Sequence, residues 1–249
     1  MTFSTEGIII KEQTVGESDR LVTILTRNEG VIRAFARKAK SLKDNKNSAT
    51  GLLCYSRLSI YKGREKYIID SASPIEVFFG LRSDIERLSL AQYFCELAAA
   101  LVPEETDSAE YLRLVLNSLH FLSKGEKNIL LIKAITELRM LSVSGYMPDL
   151  LCCKNCGDYE SESMWFLPGS AMIYCQNCFK QGDAPAYRMP MSVLTAMRHI
   201  CYSDFSKLYS FNLAPDAAKL LSFICEAYTV GTLGRSLRTL EFFKSMMTI

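Results

Sequence analysis

The apolar pattern of this 249-residue chain changes period once, and that change constrains the fold more than any single residue does. Up to about residue 70, short β-branched runs alternate with turn residues, which predicts strands over 7–11, 21–27, 31–38, 53–62 and 66–70. Five short strands are enough for a small barrel. Asn28-Glu29-Gly30 and Lys62-Gly63-Arg64 read as hairpin turns in which glycine supplies a positive φ. Residues 40–51 are polar and aperiodic and read as a mobile loop.

From Leu81 the period becomes helical. Leu81, Ile85, Leu88, Ala91, Ala98 and Leu101 fall on one face, with Pro103 as the stop. Further helices are expected over 108–123, with Asp107 as N-cap, and over 127–144, ended by Gly145 and Pro148. The pattern returns over 191–202, 215–230 and 236–247. The domain organisation that follows is a barrel (1–80), a helical domain in two halves (81–148 and 184–249) and a cysteine-rich insert between them (149–183).

Cys153-Lys154-Asn155-Cys156 and Cys175-Gln176-Asn177-Cys178 are two C-x2-C knuckles separated by 18 residues. That spacing is the one a four-cysteine zinc ribbon uses, because each knuckle turns two thiolates toward one ion and two knuckles complete a tetrahedron. Cys153, Cys156, Cys175 and Cys178 are thus expected to hold one Zn²⁺. Four thiolates leave no open position, so the ion would be structural. Cys152 stands beside Cys153 as an alternative ligand, and unrelated buried thiols or a redox pair are the competing reading. Trp165 and Phe166 between the knuckles would either pack on the ribbon or dock it on helices. Cys54, Cys95, Cys201 and Cys225 lie in apolar contexts and read as small core residues.

Charge carries the next step. The chain holds 29 Lys plus Arg against 27 Asp plus Glu, a net of +2 that by itself points to no partner. Between residues 33 and 66, however, Arg33, Arg37, Lys38, Lys40, Lys43, Lys46, Arg57, Lys62, Arg64 and Lys66 face only Asp44 and Glu65. That window is +8 and the remainder is −6. Strand alternation places Arg33, Phe35 and Arg37 on one face and Ile32, Ala34 and Ala36 on the other. Arg57 and Tyr61 share a face on the next hairpin. Cations interleaved with aromatic rings are what single-stranded nucleic acid requires, since the charge neutralises phosphate and the ring stacks a base. The alternative is a solvated outer face with Phe35 and Tyr61 turned into the barrel.

Other classes are disfavoured. No apolar run approaches the ~18 residues of a membrane span, and no secretory signal is readable at the start, so a cytosolic home is expected. Phosphate-cradling and dinucleotide glycine motifs are absent, as are a nucleophile elbow and a histidine beside a nucleophile, so no enzyme is expected. A zinc-ribbon interaction protein of transcription or translation, binding protein or RNA, is the reading from a different class.

The run Glu6-Gly7-Ile8-Ile9-Ile10-Lys11, followed by Gly16-Glu17-Ser18-Asp19-Arg20-Leu21 and by Leu25-Thr26 up to Gly30, resembles the N-terminal signature of the RecO family of bacterial recombinational DNA repair proteins. The Tyr61-Lys62-Gly63 turn, the two cysteine pairs, and Leu233-Gly234-Arg235 with Arg238 extend the resemblance over the chain. It implies an α+β protein with an N-terminal five-stranded OB-type barrel, then an all-helical domain with an inserted four-cysteine zinc ribbon. It further implies binding of single- and double-stranded DNA and annealing of complementary strands. The implied partners are RecR, the single-stranded-DNA-binding protein, RecA and, for some members, RecF, in the cytoplasm at the nucleoid. Lys124, Lys127, Lys133 and Arg139 are the candidates to meet acidic partner tails. Phe35-Ala36-Arg37-Lys38-Ala39-Lys40 lacks a glycine common in the family's basic segment, so DNA contacts there are expected to differ in detail.

Overall fold

The computed structural model describes residues 1–37, 46–64 and 66–247. Its elements in chain order are β1 (Thr2–Val15), β2 (Asp19–Thr26), β3 (Val31–Ala36), α1 (Lys46–Ala49), β4 (Cys54–Lys62) and β5 (Tyr67–Val77). A 3-10 turn (Phe79–Leu81) leads into α2 (Ile85–Leu101), α3 (Ala109–Lys124) and α4 (Ile129–Val143). Then come β6 (Ser163–Leu167), β7 (Met172–Cys175), β8 (Tyr187–Pro190), α5 (Met191–Tyr202), α6 (Pro215–Leu233) and α7 (Arg238–Met246).

The chain divides into two compact units, Met1–Lys124 with Arg238–Ile249, and Gly125–Leu237. In the first unit β1 to β5 close a barrel in the order β1-β2-β3-β5-β4. Every pairing is antiparallel except β3 with β5, so the chain crosses over between those strands through α1 and β4. Strand alternation fills the interior: Ile9, Val22, Ile24, Ile32, Ala34, Leu58, Ile60 and Ile69 form one buried cluster. α2 packs on α7, and Glu96 of α2 accepts hydrogen bonds from the Thr239 backbone N–H and hydroxyl at 2.9 and 2.5 Å. That carboxylate satisfies an otherwise orphaned donor in the first turn of α7.

The second unit joins α4, α5 and α6 to a three-stranded sheet of order β7-β6-β8. Phe166 of β6 is fully buried edge-on against Tyr228 of α6, at 5.5 Å between centroids. Trp165, its neighbour on the opposite face, stacks on Phe179 of the ribbon at 4.1 Å. Alternation along one strand thus does both jobs: Phe166 docks the sheet on helices while Trp165 packs within the ribbon. Cys54, Cys95, Cys201 and Cys225 are buried as core thiols, and burial pushes Cys95 up to about 12.

Three expectations need correction. Residues 46–49, read as loop, form the helical turn α1. It is stabilised from outside its own sequence, because Arg20 donates to the Asn47 carbonyl at 3.0 Å and to its side-chain oxygen at 3.1 Å. Gly63 does not take a positive φ, unlike Gly30 at 65°. Glycine eases a close approach there, since a Cβ would sit a tight 3.1 Å from the Lys66 carbonyl oxygen, whose hydrogen bond from Gly63 N–H closes the turn at 2.9 Å. Lys133 is not a surface lysine. It is 1% exposed and ion-paired with Glu137 at 2.8 Å and Glu226 at 2.9 Å.

Candidate nucleic-acid interface and metal centre

β3 and β4 both flank β5, so their outward faces join into one surface of three neighbouring strands. Phe35 pairs with Ile68, and Ile68 with Tyr61, which sets these three residues in a row across the strands. Ile32, Ala34 and Ala36 are buried in the barrel while Arg33 and Arg37 are exposed and Phe35 is half-buried. Tyr61 is 44% exposed. Both rings therefore lie outside the barrel core.

Cations surround this row. The Lys66 ammonium stands over the Phe35 ring at 5.8 Å, and Lys62 stands over Tyr67 at 5.5 Å. Lys62 is also paired with Glu105 at 2.9 Å, on the surface. Arg57 is paired with Glu6 at 3.3 Å, and Arg27 approaches the same carboxylate at 3.5 Å. The Tyr55 hydroxyl donates to Glu6 at 2.8 Å, and this bond, helped by the two arginines, holds the Glu6 carboxyl below its ordinary range. Arg64 is exposed at the β4–β5 turn, and Lys46 is half-buried at the start of α1. Lys38, Lys40 and Lys43 lie outside the described residues. Strand arithmetic found Phe35 and Tyr61 but missed Ile68 between them. Carrying alternation through the Lys62–Lys66 turn would have revealed it.

The other set of residues, named for partner docking, is divided between the two units, Lys124 in the first and Lys127, Lys133 and Arg139 in the second. Lys124 is exposed at the end of α3, whereas Lys127 donates to the Phe211 carbonyl at 3.2 Å and to Asn212 at 3.1 Å. Arg139 donates to the Ile200 and Cys201 carbonyls at 3.1 and 2.8 Å and lies over the Phe205 ring.

In the second unit the Sγ atoms of Cys153, Cys156, Cys175 and Cys178 all lie within 4.8 Å of one another. That separation fits four thiolates about 2.3 Å from a single ion. Cys152 lies outside the cluster. Gly157 takes φ 78° after the first knuckle, and its N–H donates to the Cys153 carbonyl at 2.9 Å. Burial raises the Cys153 thiol, but backbone N–H groups of Cys175, Cys156 and Asn155 outweigh it and bring it down to about 6. A thiol so poised is a ready metal ligand.

The first knuckle is held from a distance. Arg198 of α5, 8% exposed, donates to the Leu150, Leu151 and Tyr159 carbonyls at 2.8, 2.9 and 2.8 Å and stands 3.8 Å over the Tyr159 ring. These three residues bracket Cys153 and Cys156. No local sequence pattern marks Arg198, which reads as one more polar residue in an amphipathic helix.

A closed five-stranded barrel, helices and a four-cysteine ribbon define an α+β barrel-and-ribbon protein. Among the described residues no helix is long and apolar enough to cross a membrane. Two family models match the chain, Recombination protein O N terminal over residues 1–78 and Recombination protein O C terminal over residues 82–241. Similar proteins include DNA repair protein RecO of Acetivibrio thermocellus, 33% identical over 97% of this chain and 96% of the relative. The protein of the same name from Symbiobacterium thermophilum is 29% identical over 98% of this chain and 97% of the relative. That from Dehalococcoides mccartyi is 32% identical over 83% and 81%. The chain belongs to the RecO family.

Proposed function

We propose that this protein is a DNA repair and recombination mediator. In this reading it binds single- and double-stranded DNA on the barrel and anneals complementary strands. With RecR it helps load RecA onto strands covered by the single-stranded-DNA-binding protein, and RecF is a further partner. The observation that carries the reading is the row Phe35–Ile68–Tyr61 on the outer face of β3, β5 and β4, with Arg33, Arg37, Arg64 and Lys66 around it. Stacking on such rings is worth about 1–3 kcal/mol per base and tolerates any sequence.

The mechanism is physical. Basic side chains neutralise the phosphates of two strands at once, which lowers their repulsion and raises their mutual effective concentration, so pairing proceeds without nucleotide hydrolysis. No bond is made or broken by the protein. The four cysteines bind one Zn²⁺, and saturation by thiolates gives that ion a bracing role. The protein works in the cytoplasm, at the nucleoid.

The test is a strand-annealing assay with labelled complementary oligonucleotides at low salt. The reading expects pairing to be accelerated without nucleotide and the acceleration to fade as salt rises. Pairing at the spontaneous rate at every salt concentration would contradict it and favour a zinc-ribbon protein that binds protein or RNA.

A further inference from the structure

Phe79 is 68% exposed, second only to Met1 among the large apolar side chains of the described residues. It is not a loose ring. Phe78 and Leu81 on either side are buried, at 4% and 0%. The 3-10 turn is closed by Leu81 N–H to the Phe78 carbonyl at 3.1 Å and Arg82 N–H to the Phe79 carbonyl at 3.0 Å. Gly80 abuts the end of α3 so closely that a Cβ would lie 2.6 Å from the Ser123 hydroxyl oxygen and 3.0 Å from its carbonyl oxygen. A turn fixed by two buried neighbours and a backbone contact therefore holds an aromatic face toward solvent in a set position.

The surroundings say what kind of molecule. Arg82 lies over the Phe79 ring at 5.4 Å. Arg87, one turn into α2, is paired with Asp84 at 2.9 Å, but among the described residues no ion pair engages Arg82. Phe79 and Arg82 line an open cavity of about 560 Å³ together with Arg20 and Asn47. Glu12, Leu52 and Gln92 line both this cavity and an adjoining one of about 520 Å³ that contains Lys11 and Arg33. The Glu12 carboxylate in this groove is offset by Arg20 at 3.7 Å and by the Leu52 N–H at 3.2 Å. Glu96 and Glu104 also line the second cavity, Glu96 being bonded to Thr239. Across the two cavities Lys11, Arg20, Arg33, Arg82 and Arg238 stand against Glu12, Glu96 and Glu104. This net-positive groove runs from Arg33 on the barrel to an exposed ring whose neighbouring guanidinium has no ion-pair partner among the described residues.

We propose that Phe79 and Arg82 form a second stacking station for single-stranded nucleic acid, outside the barrel strands, with one base on the ring and a phosphate on the guanidinium. The station rests on the reading that the barrel binds DNA, and it lengthens the path of the strand along the first unit. A ring and a point charge read no base edge, so the station is indifferent to sequence.

The experiment measures binding of the full-length protein to labelled oligothymidine of increasing length at low salt. Phe79→Ala is expected to weaken binding of a long strand about 5- to 150-fold, the equivalent of one lost stacked base. It should leave a strand too short to leave the barrel unaffected, and Phe79→Trp should restore long-strand affinity. Arg82→Ala should lower the salt slope by about 0.7. Wild-type affinity for the long strand in Phe79→Ala, while Arg33→Ala with Arg37→Ala loses it, overturns the station and leaves the barrel reading standing. Wild-type affinity in both variants overturns the barrel reading too. An equal loss on short and long strands, or a loss that Trp does not restore, also overturns the station.

Discussion

Phe35 of β3 and Tyr61 of β4 are both paired with Ile68 of β5, so two rings far apart in sequence stand in one row across three strands. Each ring is expected to stack a base. Phe35→Ala and Tyr61→Ala should each weaken single-strand binding by about 1–3 kcal/mol, read by fluorescence anisotropy. Tyr61 is exposed, so its loss should leave the melting temperature nearly unchanged, whereas half-buried Phe35 also packs and should lower it. Unchanged binding in both variants would remove the row from the interface.

Glu6 holds Arg57 and Arg27 at 3.3 and 3.5 Å, so on the proposed reading it would compete with DNA for Arg57. Its carboxyl is depressed, chiefly by the Tyr55 hydroxyl and then by the arginines. A depressed acid stabilises the fold above its unfolded value near 4.5, and that contribution is lost as pH falls through the lower folded value. Glu6→Gln is therefore expected to flatten the acid limb of the stability curve, at a cost below about 1 kcal/mol at neutral pH because the pairs are partly solvated. It should also tighten DNA binding by freeing Arg57. Weaker binding in Glu6→Gln would show that Arg57 needs its carboxylate for orientation.

On the proposed reading the ribbon is held by an ion on its four cysteines and by Arg198. Cys153→Ser with Cys175→Ser should abolish metal binding and lower the melting temperature of the second unit. Arg198→Ala leaves all four thiolates in place but frees the Leu150, Leu151 and Tyr159 carbonyls around the first knuckle. Metal retention against a chelator is expected to drop about 10- to 100-fold, as for other supports that orient ligands. Retention equal to the parent would make Arg198 a packing residue only.

Lys133 is the buried centre of an ion cluster joining α4 to α6. Burial pulls its pKa down, but Glu137 and Glu226 outweigh that and raise it above the ordinary 10.5. A raised base stabilises the fold fully below its unfolded value, and the contribution is lost as pH climbs through the higher folded value. Lys133→Met strands two carboxylates and should cost about 3–5 kcal/mol in urea denaturation. Adding Glu137→Leu should recover part of that loss. No recovery would mean that shape, not charge, holds the helices together.

The five barrel strands, the main helices and the four-cysteine cluster are legible because each rests on local spacing, whereas β6, β7 and β8 are not marked by it. Alternation separated Ala34 and Ala36 from Arg33 and Arg37, and the two C-x2-C turns named Cys153, Cys156, Cys175 and Cys178. What was illegible depends on bonds between distant residues. Arg20 organises α1 by bonding Asn47, and nothing in residues 46–49 announces it. Lys133 looked like a solvated cation because its partner Glu226 lies on another helix. Which helices share a unit follows from bonds such as Glu96 with Thr239, which periodicity does not record.

The central claim is that side chains on the barrel grip a polyanion by displacing its counterions. The measurement that tests it most directly is a salt titration of binding to a labelled single strand, comparing the parent with Arg33→Ala plus Arg37→Ala. The account predicts a steep linear fall of log affinity with log salt in the parent. It also predicts weaker binding to every sequence in the variant, with a slope shallower by about 0.7 for each phosphate that is no longer neutralised. Identical affinity and slope in the two proteins would contradict it.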